Sequence, residues 1–163
     1  MNKGELIPHL FRTEYRKIIA VLCRRFGANY INDAEDIASE TFLTAVQAWG
    51  VEGIPENPTA WLYHVAKNKA ANHLRRQAIF DKKVVVDIES NIPKQLEEDI
   101  NLSPQNIRDS ELQMMFAICH PIIPPEAQTG LCLRLLCGFG IDEIAEAYLA
   151  TRETIYKRLA RAK

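Results

Sequence analysis

The chain has 163 residues, of which 47% are hydrophobic and 25% are charged, and its formal net charge is −1. This composition is typical of a folded globular protein, and the length suits one ordinary domain or two small helical ones. No apolar run approaches the roughly 20 residues of a membrane helix. The N-terminus, Met1 to Phe11, lacks the pattern of a signal peptide. We therefore expect a cytoplasmic protein with no membrane partner.

The first elements in chain order are two amphipathic helices. Apolar residues recur at three- and four-residue steps from Leu10 to Phe26, and Gly27 supplies a stop. Asn32 or Asp33 can cap the second helix. The predicted inner face of the second helix is apolar and consists of Ala34, Ile37, Ala38, Phe42, Ala45 and Trp49.

A loop and a third helix come next. Residues 50–58 include two glycines and two prolines, so they predict a loop. Asn57 or Thr59 opens the third helix, which ends in the basic turn of Arg75 and Arg76, as suits a helix C-terminus. These elements predict a small helical bundle over residues 5–80.

Residues 81–110 have weak periodicity, many acids and two prolines. We predict a linker with room for one short helical turn. A second helical set occupies 111–163, with pieces at 112–119, 126–137, 141–149 and 152–163. The run Val84–Val86 is too short for a persistent strand pattern. The predicted fold class is all-α, with two small helical domains joined by an acidic linker.

Charge is distributed unevenly along this predicted fold. Residues 64–83 carry six Lys or Arg against one acid, and residues 152–163 carry five against one. Between them, residues 81–125 carry eight acids and four bases. Two basic surfaces with an acidic connector indicate contact with a polyanion at two places, although two solvated helix faces would give the same pattern.

The segment from Gly140 to Lys163 has the pattern of a helix-turn-helix. Thr151 is a natural N-cap for its second helix, and Ala145 is small where the two helices cross most closely. A basic helix with a capped, exposed first turn can lie in a major groove, but such helix pairs also occur in proteins that never touch DNA. The residues placed to pack the two helices together are Ile144, Tyr148, Leu149, Ile155 and Leu159. The outer surface of the second helix carries Arg152, Glu153, Tyr156, Lys157 and Arg161.

Three segments resemble those of the extracytoplasmic-function (ECF) sigma factors of bacterial RNA polymerase. The helix-turn-helix, preceded by residues 125–138, resembles the domain that binds the minus-thirty-five element. Residues 33–43 resemble the helix that docks on the clamp coiled coil of the largest polymerase subunit. Residues 58–76 resemble the helix that opens and reads the minus-ten element. The segments occur in the family's order with an acidic linker between them, which is more specific than any one of them.

The resemblance implies a sigma factor that binds core RNA polymerase and directs promoter-specific initiation. Its region 2 would span 5–80, its linker 81–110 and its region 4 111–163. The implied polymerase-docking residues are Asp33, Glu35, Asp36, Ile37, Glu40 and Phe42. The implied contacts with melted and duplex promoter DNA are made by Asn57, Trp61, Lys67, Asn68, Asn72, Arg75, Arg76, Arg152, Glu153, Tyr156, Lys157, Arg158 and Arg161.

Cys119, His120 and Pro121, with the leucine-rich helix after them, resemble a subgroup that carries a C-terminal helical-repeat domain. No such extension is present in the sequence, and by the same resemblance the recognition helix would continue past Lys163. We therefore expect a region 4 that is truncated at its C-terminus. The sequence neither identifies nor excludes an anti-sigma factor.

Metal and catalytic chemistry find no support in the sequence. The spacing of His64, His73, Cys119 and His120 matches no usual zinc ligand set. No phosphate-binding glycine loop or Ser/His/Asp arrangement is present. The four cysteines lie far apart without a C-x-x-C motif, so we expect reduced thiols in the core. The sequence thus predicts no metal, no cofactor, no small-molecule substrate and no enzyme activity.

Two other functions remain open at this stage. One is a stand-alone helix-turn-helix regulator, which would bind duplex DNA tightly without polymerase. The other is a helical scaffold with no role in DNA binding, whose basic residues would be dispensable.

Overall fold

The computed structural model describes residues 3–81 and 100–162, and every regular element in these ranges is helical. The predicted all-α fold class is confirmed. The N-terminal helices are α1 (Lys3–Phe26), α2 (Ile31–Val51) and α3 (Pro58–Asp81). The C-terminal helices are α4 (Pro104–Ile118), α5 (Pro125–Leu131), α6 (Ile141–Ala147) and α7 (Arg152–Ala162). A π-helical turn, Cys132–Leu136, continues α5.

The turn between α1 and α2 confirms one sequence prediction and corrects another. Gly27 ends α1 with a φ of +98°, a left-handed conformation that favours glycine. A 3₁₀ turn, Ala28–Tyr30, then leads directly into α2, whose first residue is Ile31. The predicted cap at Asn32 or Asp33 is therefore wrong, because both residues already lie inside the first turn of α2.

Aromatic side chains hold α2 between α1 and α3. Phe42 packs edge-to-face on Phe11 of α1, with ring centroids 5.1 Å apart. Trp49 makes the same kind of contact with Trp61 of α3 at 5.3 Å. The predicted inner face of α2 is confirmed, since the buried residues include Ala34, Ile37, Ala38, Phe42, Ala45 and Trp49.

Small side chains let α3 approach its neighbours closely. Leu62, Ala66 and Ala70 are buried at helical spacing along its inner side. Of the two predicted starts, Asn57 is the cap, because its Oδ1 accepts a hydrogen bond from the Ala60 N–H at 3.0 Å. The helix continues to Asp81, so the predicted end at the basic turn was too early.

Residues 100–110 of the predicted linker are packed structure. Ile100 and Leu102 are buried, and Ser103 caps α4 by accepting a hydrogen bond from the Asn106 N–H at 3.4 Å. Buried residues of α4, such as Ile107, join the same hydrophobic cluster as those of α1. Residues 82–99, including the valine run, lie outside the described residues, so the division into two domains stays a prediction.

The helix-turn-helix is built as predicted except at its turn. Ile144, Ile155 and Leu159 are buried, and Thr151 Oγ1 accepts a hydrogen bond from the Thr154 N–H at 3.2 Å. Leu149 was predicted to pack but is 96% exposed. Its φ of +50° shows why: the tight turn needs a left-handed residue there, which directs this side chain to solvent.

Sequence reasoning missed a close contact between α5 and α7. A Cβ at Gly130 would lie 3.0 Å from Leu159 Cδ2, which is tighter than nine in ten real Cβ contacts. Gly130 therefore sits at a close crossing of α5 and α7. Ala145, predicted to be small where the two helices of the helix-turn-helix cross, is buried in α6. The cysteines also differ from expectation, because Cys119 and Cys137 are exposed and do not lie in the core.

Candidate functional site

Carboxylates line the side of α2 that is turned away from the core. Glu40 Oε2 lies 3.4 Å from Lys69 Nζ of α3, and Asp33 Oδ1 lies 3.6 Å from His73 Nε2 of the same helix. Asp36 is exposed between them. Asp33, Asp36 and Glu40 thus form an acidic surface on α2, and α3 places Lys69 and the His73 imidazole along one edge of it.

Two predicted docking residues need correction. Ile37 and Phe42 are 7% and 4% exposed, so they belong to the core and cannot touch a partner directly. Leu43 and Val46 instead project outward, at 57% and 50% exposure. Leu43 lies three residues after Glu40 on the same side of α2. Its exposure was predictable from the sequence, because Leu43 does not belong to the predicted inner face. The exposed face of α2 is thus acidic at one end and apolar at the other.

The fourth carboxylate of α2 contacts the C-terminal half of the chain. Glu35 Oε1 lies 3.3 Å from Arg134 Nε, and the two side chains are 12% and 21% exposed. The Arg134 guanidinium also lies over the Tyr15 ring, 6.0 Å from its centroid. The Tyr15 hydroxyl donates to the Glu35 carbonyl at 3.4 Å and lies 3.2 Å from Ser39 Oγ. Burial, before any other cause, raises the pKa of Tyr15.

The outer side of α3 carries amides and cations. Asn68 Nδ2 lies 3.0 Å from His64 Nε2, and Asn72 is exposed one turn further along. Arg75 and Arg76 are also exposed. The structure thus brings most of the predicted residues of this helix onto a polar surface, with Lys67 half-buried at its edge.

Trp61 and Asn57 at the start of α3 have structural roles as well. The Trp61 ring is half-buried against Trp49, so only part of it faces solvent. The Asn57 side chain is exposed, but its oxygen already accepts the capping hydrogen bond from Ala60. The cap does not use the Asn57 amide nitrogen, which can only donate.

A buried polar contact that the sequence did not reveal fixes the position of α3 on α1. The Tyr63 hydroxyl donates to Glu14 Oε2 at 2.5 Å, and Lys17 Nζ donates to Glu14 Oε1 at 2.9 Å. Glu14 is only 6% exposed. Burial alone would raise the pKa of Glu14, but the hydrogen bonds from Tyr63 and Lys17 bring it below its usual value. Burial and the hydrogen bond to Glu14 raise the pKa of Tyr63.

The outer surface of α7 is exposed as predicted. It presents Arg152, Glu153, Tyr156, Lys157 and Arg161 to solvent. Lys157 Nζ lies 2.6 Å from Glu153 Oε1, one helical turn away, and Arg152 Nε lies 3.6 Å from Asp142 Oδ1 of α6. Such exposed pairs contribute little to stability, so these cations remain available to an incoming anion.

Arg158, also predicted to contact DNA, is turned toward α5 and α6. Its Nη2 lies 3.3 Å from Glu126 Oε2 of α5, and its guanidinium lies 5.9 Å from the centroid of the Tyr148 ring. A cleft of about 440 Å³ between α5 and α7 is lined by Arg158 together with Lys157 and Arg161. Three cations therefore surround one concave surface beside the exposed face of α7.

Within residues 3–81 and 100–162, no three His, Cys, Asp or Glu side chains are arranged so that they could hold a metal ion. Over the same described ranges, no helix is both long enough and apolar enough to cross a membrane.

Residues 10–79 match the family model described as sigma-70 region 2. This segment includes most of α1, all of α2 and nearly all of α3. Over these residues the chain is similar to sigma-70 region 2.

Two relatives are similar to the chain beyond residues 10–79. An ECF RNA polymerase sigma-E factor of Haemophilus influenzae is 26% identical over 161 residues, which cover 95% of this chain and 82% of that protein. An uncharacterized protein of Rhizobium meliloti is 29% identical over 134 residues, covering 80% of this chain. The chain spans only about a third of the length of that second relative, 31%.

Proposed function

We propose that this chain binds core RNA polymerase through α2, traps the melted minus-ten strand on α3 and reads the minus-thirty-five duplex with α7. The observation that carries the proposal is the juxtaposition of the exposed face of α2 with the polar face of α3 inside the segment that matches sigma-70 region 2. A single rigid bundle would then hold the polymerase and the opened promoter next to each other.

The proposed docking surface consists of Asp36, Glu40, Leu43 and Val46 on α2. All four side chains are exposed, and they succeed one another at three- and four-residue steps. A surface of this kind suits a helical partner with basic residues beside an apolar stripe, because charge sets the orientation and apolar burial supplies binding energy. Ile37 and Phe42 support the surface from inside the bundle.

The proposed strand-binding surface lies on α3. Asn68 and Asn72 carry amides that can donate to and accept from the edges of unpaired bases, and Arg75 and Arg76 can hold phosphates. The accessible edge of Trp61 can support an unstacked base, a contact worth about 1–3 kcal/mol per base. An arrangement of amides and one aromatic ring suits an opened strand better than the groove of an intact duplex.

The proposed duplex-reading surface is the exposed face of α7. Lys157 and Arg161 would contact phosphates, while Arg152, Glu153 and Tyr156 lie nearer the N-terminal turn, where recognition helices touch base edges. Each phosphate contact that is lost should lower the salt dependence of binding by roughly one unit.

Two finer assignments are also part of the proposal. The subgroup with a C-terminal helical-repeat domain remains a prediction from residues 119–121. An anti-sigma factor stays an open class of partner, and no residue is assigned to it.

The docking surface can be tested by charge reversal. The double variant Asp36→Lys and Glu40→Lys should lose most of its affinity for purified core polymerase, because two attractive charges become repulsive. Glu5→Lys, at an exposed acid of α1, is the matched control and should bind as the wild type does. Circular dichroism must show the same helix content, since reversal of Glu40 also places a second cation next to Lys69. Unchanged affinity of the double variant for core polymerase would refute the assignment.

A second experiment separates a sigma factor from a stand-alone regulator. Core polymerase with the protein should transcribe from members of a genomic promoter library, and melted thymines should react with permanganate. Asn68→Ala combined with Asn72→Ala should reduce that reactivity while closed-complex binding survives. Tight binding to duplex DNA without polymerase, together with no transcription, would favour the regulator.

A further inference from the structure

His64 of α3 has no role in the proposed function, although it contacts one of the amides proposed to read bases. Asn68 Nδ2 donates to His64 Nε2 at 3.0 Å, one helical turn away. An amide nitrogen can only donate, so Nε2 must be the acceptor. The imidazole is therefore neutral and carries its proton on Nδ1. His64 is exposed and Asn68 is half-buried, so this hydrogen bond lies at the surface of α3.

His64 lies between the aromatic ring and the amide of the proposed strand-binding surface. It follows Trp61 by three residues and precedes Asn68 by four, so the three side chains succeed one another along one side of α3. The Trp61 ring is held against Trp49, with centroids 5.3 Å apart. The hydrogen bond to His64 holds Asn68 in a similar way. The ring and the amide thus both have a partner before any strand arrives.

The hydrogen bond decides which groups of Asn68 can meet a base. An asparagine amide offers one acceptor oxygen and two N–H donors. With one N–H donated to His64, Asn68 keeps Oδ1 and a single N–H. Adenine offers an amino donor at N6 beside an acceptor at N7, which an asparagine amide meets with two hydrogen bonds. Guanine offers two acceptors, O6 and N7, at the same edge, so it would need both N–H groups.

We propose that His64 is a positioning residue that restricts Asn68 to one donor and one acceptor, so that Asn68 selects adenine in the melted strand. The inference rests on the proposed function for the presence of that strand. The hydrogen bond itself belongs to the free protein and can be measured without polymerase or DNA. Its role differs from that of a cation, because a lysine or arginine side chain cannot accept a hydrogen bond.

Loss of His64 should change both the extent of opening and its dependence on the base. A matched pair of hydrogen bonds discriminates against a wrong base by about 5- to 150-fold. Without His64, the Asn68 amide must be ordered during binding and can turn both N–H groups toward guanine. His64→Ala should therefore lower promoter opening by about 2- to 10-fold and remove most of the discrimination against guanine. The variant should keep its fold, because His64 is exposed and alanine favours a helix.

The test measures promoter opening by the polymerase complex on a promoter taken from the genomic library. Each adenine of the minus-ten strand is replaced in turn by guanine and by 7-deazaadenine, which lacks the N7 acceptor. At one position both replacements should impair opening by the wild type, and Asn68→Ala should be insensitive to them.

Four changes at histidines then separate an acceptor from a cation at that position. His64→Ala should also be insensitive to the base, whereas His64→Gln should stay sensitive because the glutamine oxygen can accept from Asn68 at the same spacing. His64→Lys should be insensitive, although it adds a positive charge. His9→Ala, at an exposed histidine of α1, is the control and should behave as the wild type does.

Nitrogen-15 NMR of the free protein measures the hydrogen bond itself. His64 should carry its proton on Nδ1 in the wild type, and Asn68→Ala should remove that preference. A wild-type proton on Nε2 would overturn the inference. So would an equal sensitivity to adenine replacement in the wild type, His64→Ala and His64→Lys, or a wild type that is sensitive at no adenine. A wild type that opens no promoter would count against the proposed function, while the NMR result would still decide whether His64 orients Asn68.

Discussion

The two helices proposed to contact nucleic acid, α3 and α7, are held in place in different ways. The 24-residue α3 is fixed by a buried hydrogen bond from Tyr63 to Glu14 and by the Trp49–Trp61 contact. The 11-residue α7 is fixed mainly by Ile155 and Leu159, which are apolar and buried. A polar anchor has a defined direction and sets the rotation of a helix, whereas apolar burial mainly sets its distance.

The exposed faces of α3 and α7 also differ, because directional polar groups dominate the first and charges dominate the second. The surface of α3 combines amides with arginines near its end, and that of α7 combines cations with one acid, Glu153. Unpaired bases must be met by donors and acceptors in fixed positions, which a directional anchor provides. Phosphates of a duplex are met by charge at longer range, which tolerates a looser anchor. Loss of the apolar anchor and loss of the polar anchor should therefore lower the stability of the fold by different amounts. The two losses should also differ in how they depend on pH.

The largest expected effect is on the apolar anchor of α7. Leu159→Ala should destabilise the helix-turn-helix by about 2–5 kcal/mol, because truncating a buried leucine leaves a cavity. Chemical denaturation and amide exchange of residues 125–162 would measure this loss. Leu149→Ala is the matched control, since that leucine is 96% exposed and should change stability by less than about 0.5 kcal/mol. Equal effects of the two changes would show that α7 is not anchored at Leu159.

An intermediate effect is expected at the polar anchor of α3. Tyr63→Phe should cost about 1.5–3 kcal/mol at pH 7, because the buried Glu14 carboxylate loses a hydrogen-bond donor. Tyr156→Phe, at an exposed tyrosine, is the control. Denaturant titrations of both variants give the difference directly.

The same anchor predicts a dependence on pH with a definite sign. Since the folded-state pKa of Glu14 lies below its ordinary value of 4.5, its contribution to stability is present above that value and is lost as the pH falls through the folded pKa. The difference between the wild type and Tyr63→Phe should therefore shrink on acidification. A difference that stayed constant down to the lowest pH at which the protein folds would argue against a charged Glu14.

The smallest losses of stability are expected at the N-caps, since α3 and α7 each begin with a side-chain cap. Asn57→Ala and Thr151→Ala should each cost about 1 kcal/mol, seen as a lower midpoint of thermal unfolding. Asn57→Ser keeps a capping oxygen but removes the amide nitrogen. Normal stability with reduced promoter opening in Asn57→Ser would assign that nitrogen to a base. Normal opening would leave Asn57 with the cap alone.

Much of the fold was predictable because it depends on local spacing. The buried face of α2 and the packing of Ile144, Ile155 and Leu159 appear in the sequence as three- and four-residue steps. The start of α4 was missed even though Ser103 and Pro104 form a normal helix start, because the surrounding acids indicated a linker. Local signals therefore placed most helices but not the point where the packed C-terminal half begins.

The candidate surfaces were predicted less completely, because they depend on contacts between distant parts of the chain. Tyr63 and Glu14 are 49 residues apart, and no local pattern indicates that they meet. Arg134 and Glu35 are also far apart in the sequence, and no local pattern indicates their contact. Phe42 shows the reverse problem: it lies on the docking segment by resemblance, but its helical phase directs it into the core.

The π-helical turn at Cys132–Leu136 has a consequence for how related sequences should be aligned. The Cys137 N–H donates to the Cys132 carbonyl at 3.1 Å, so this turn contains one residue more than an α-helical turn would. Because the π-turn absorbs its extra residue within one turn, deleting one residue here would restore α-helical spacing and leave the flanking residues close to their present faces. We therefore expect that a single-residue gap at this point in a related sequence marks a chain in which this turn is α-helical.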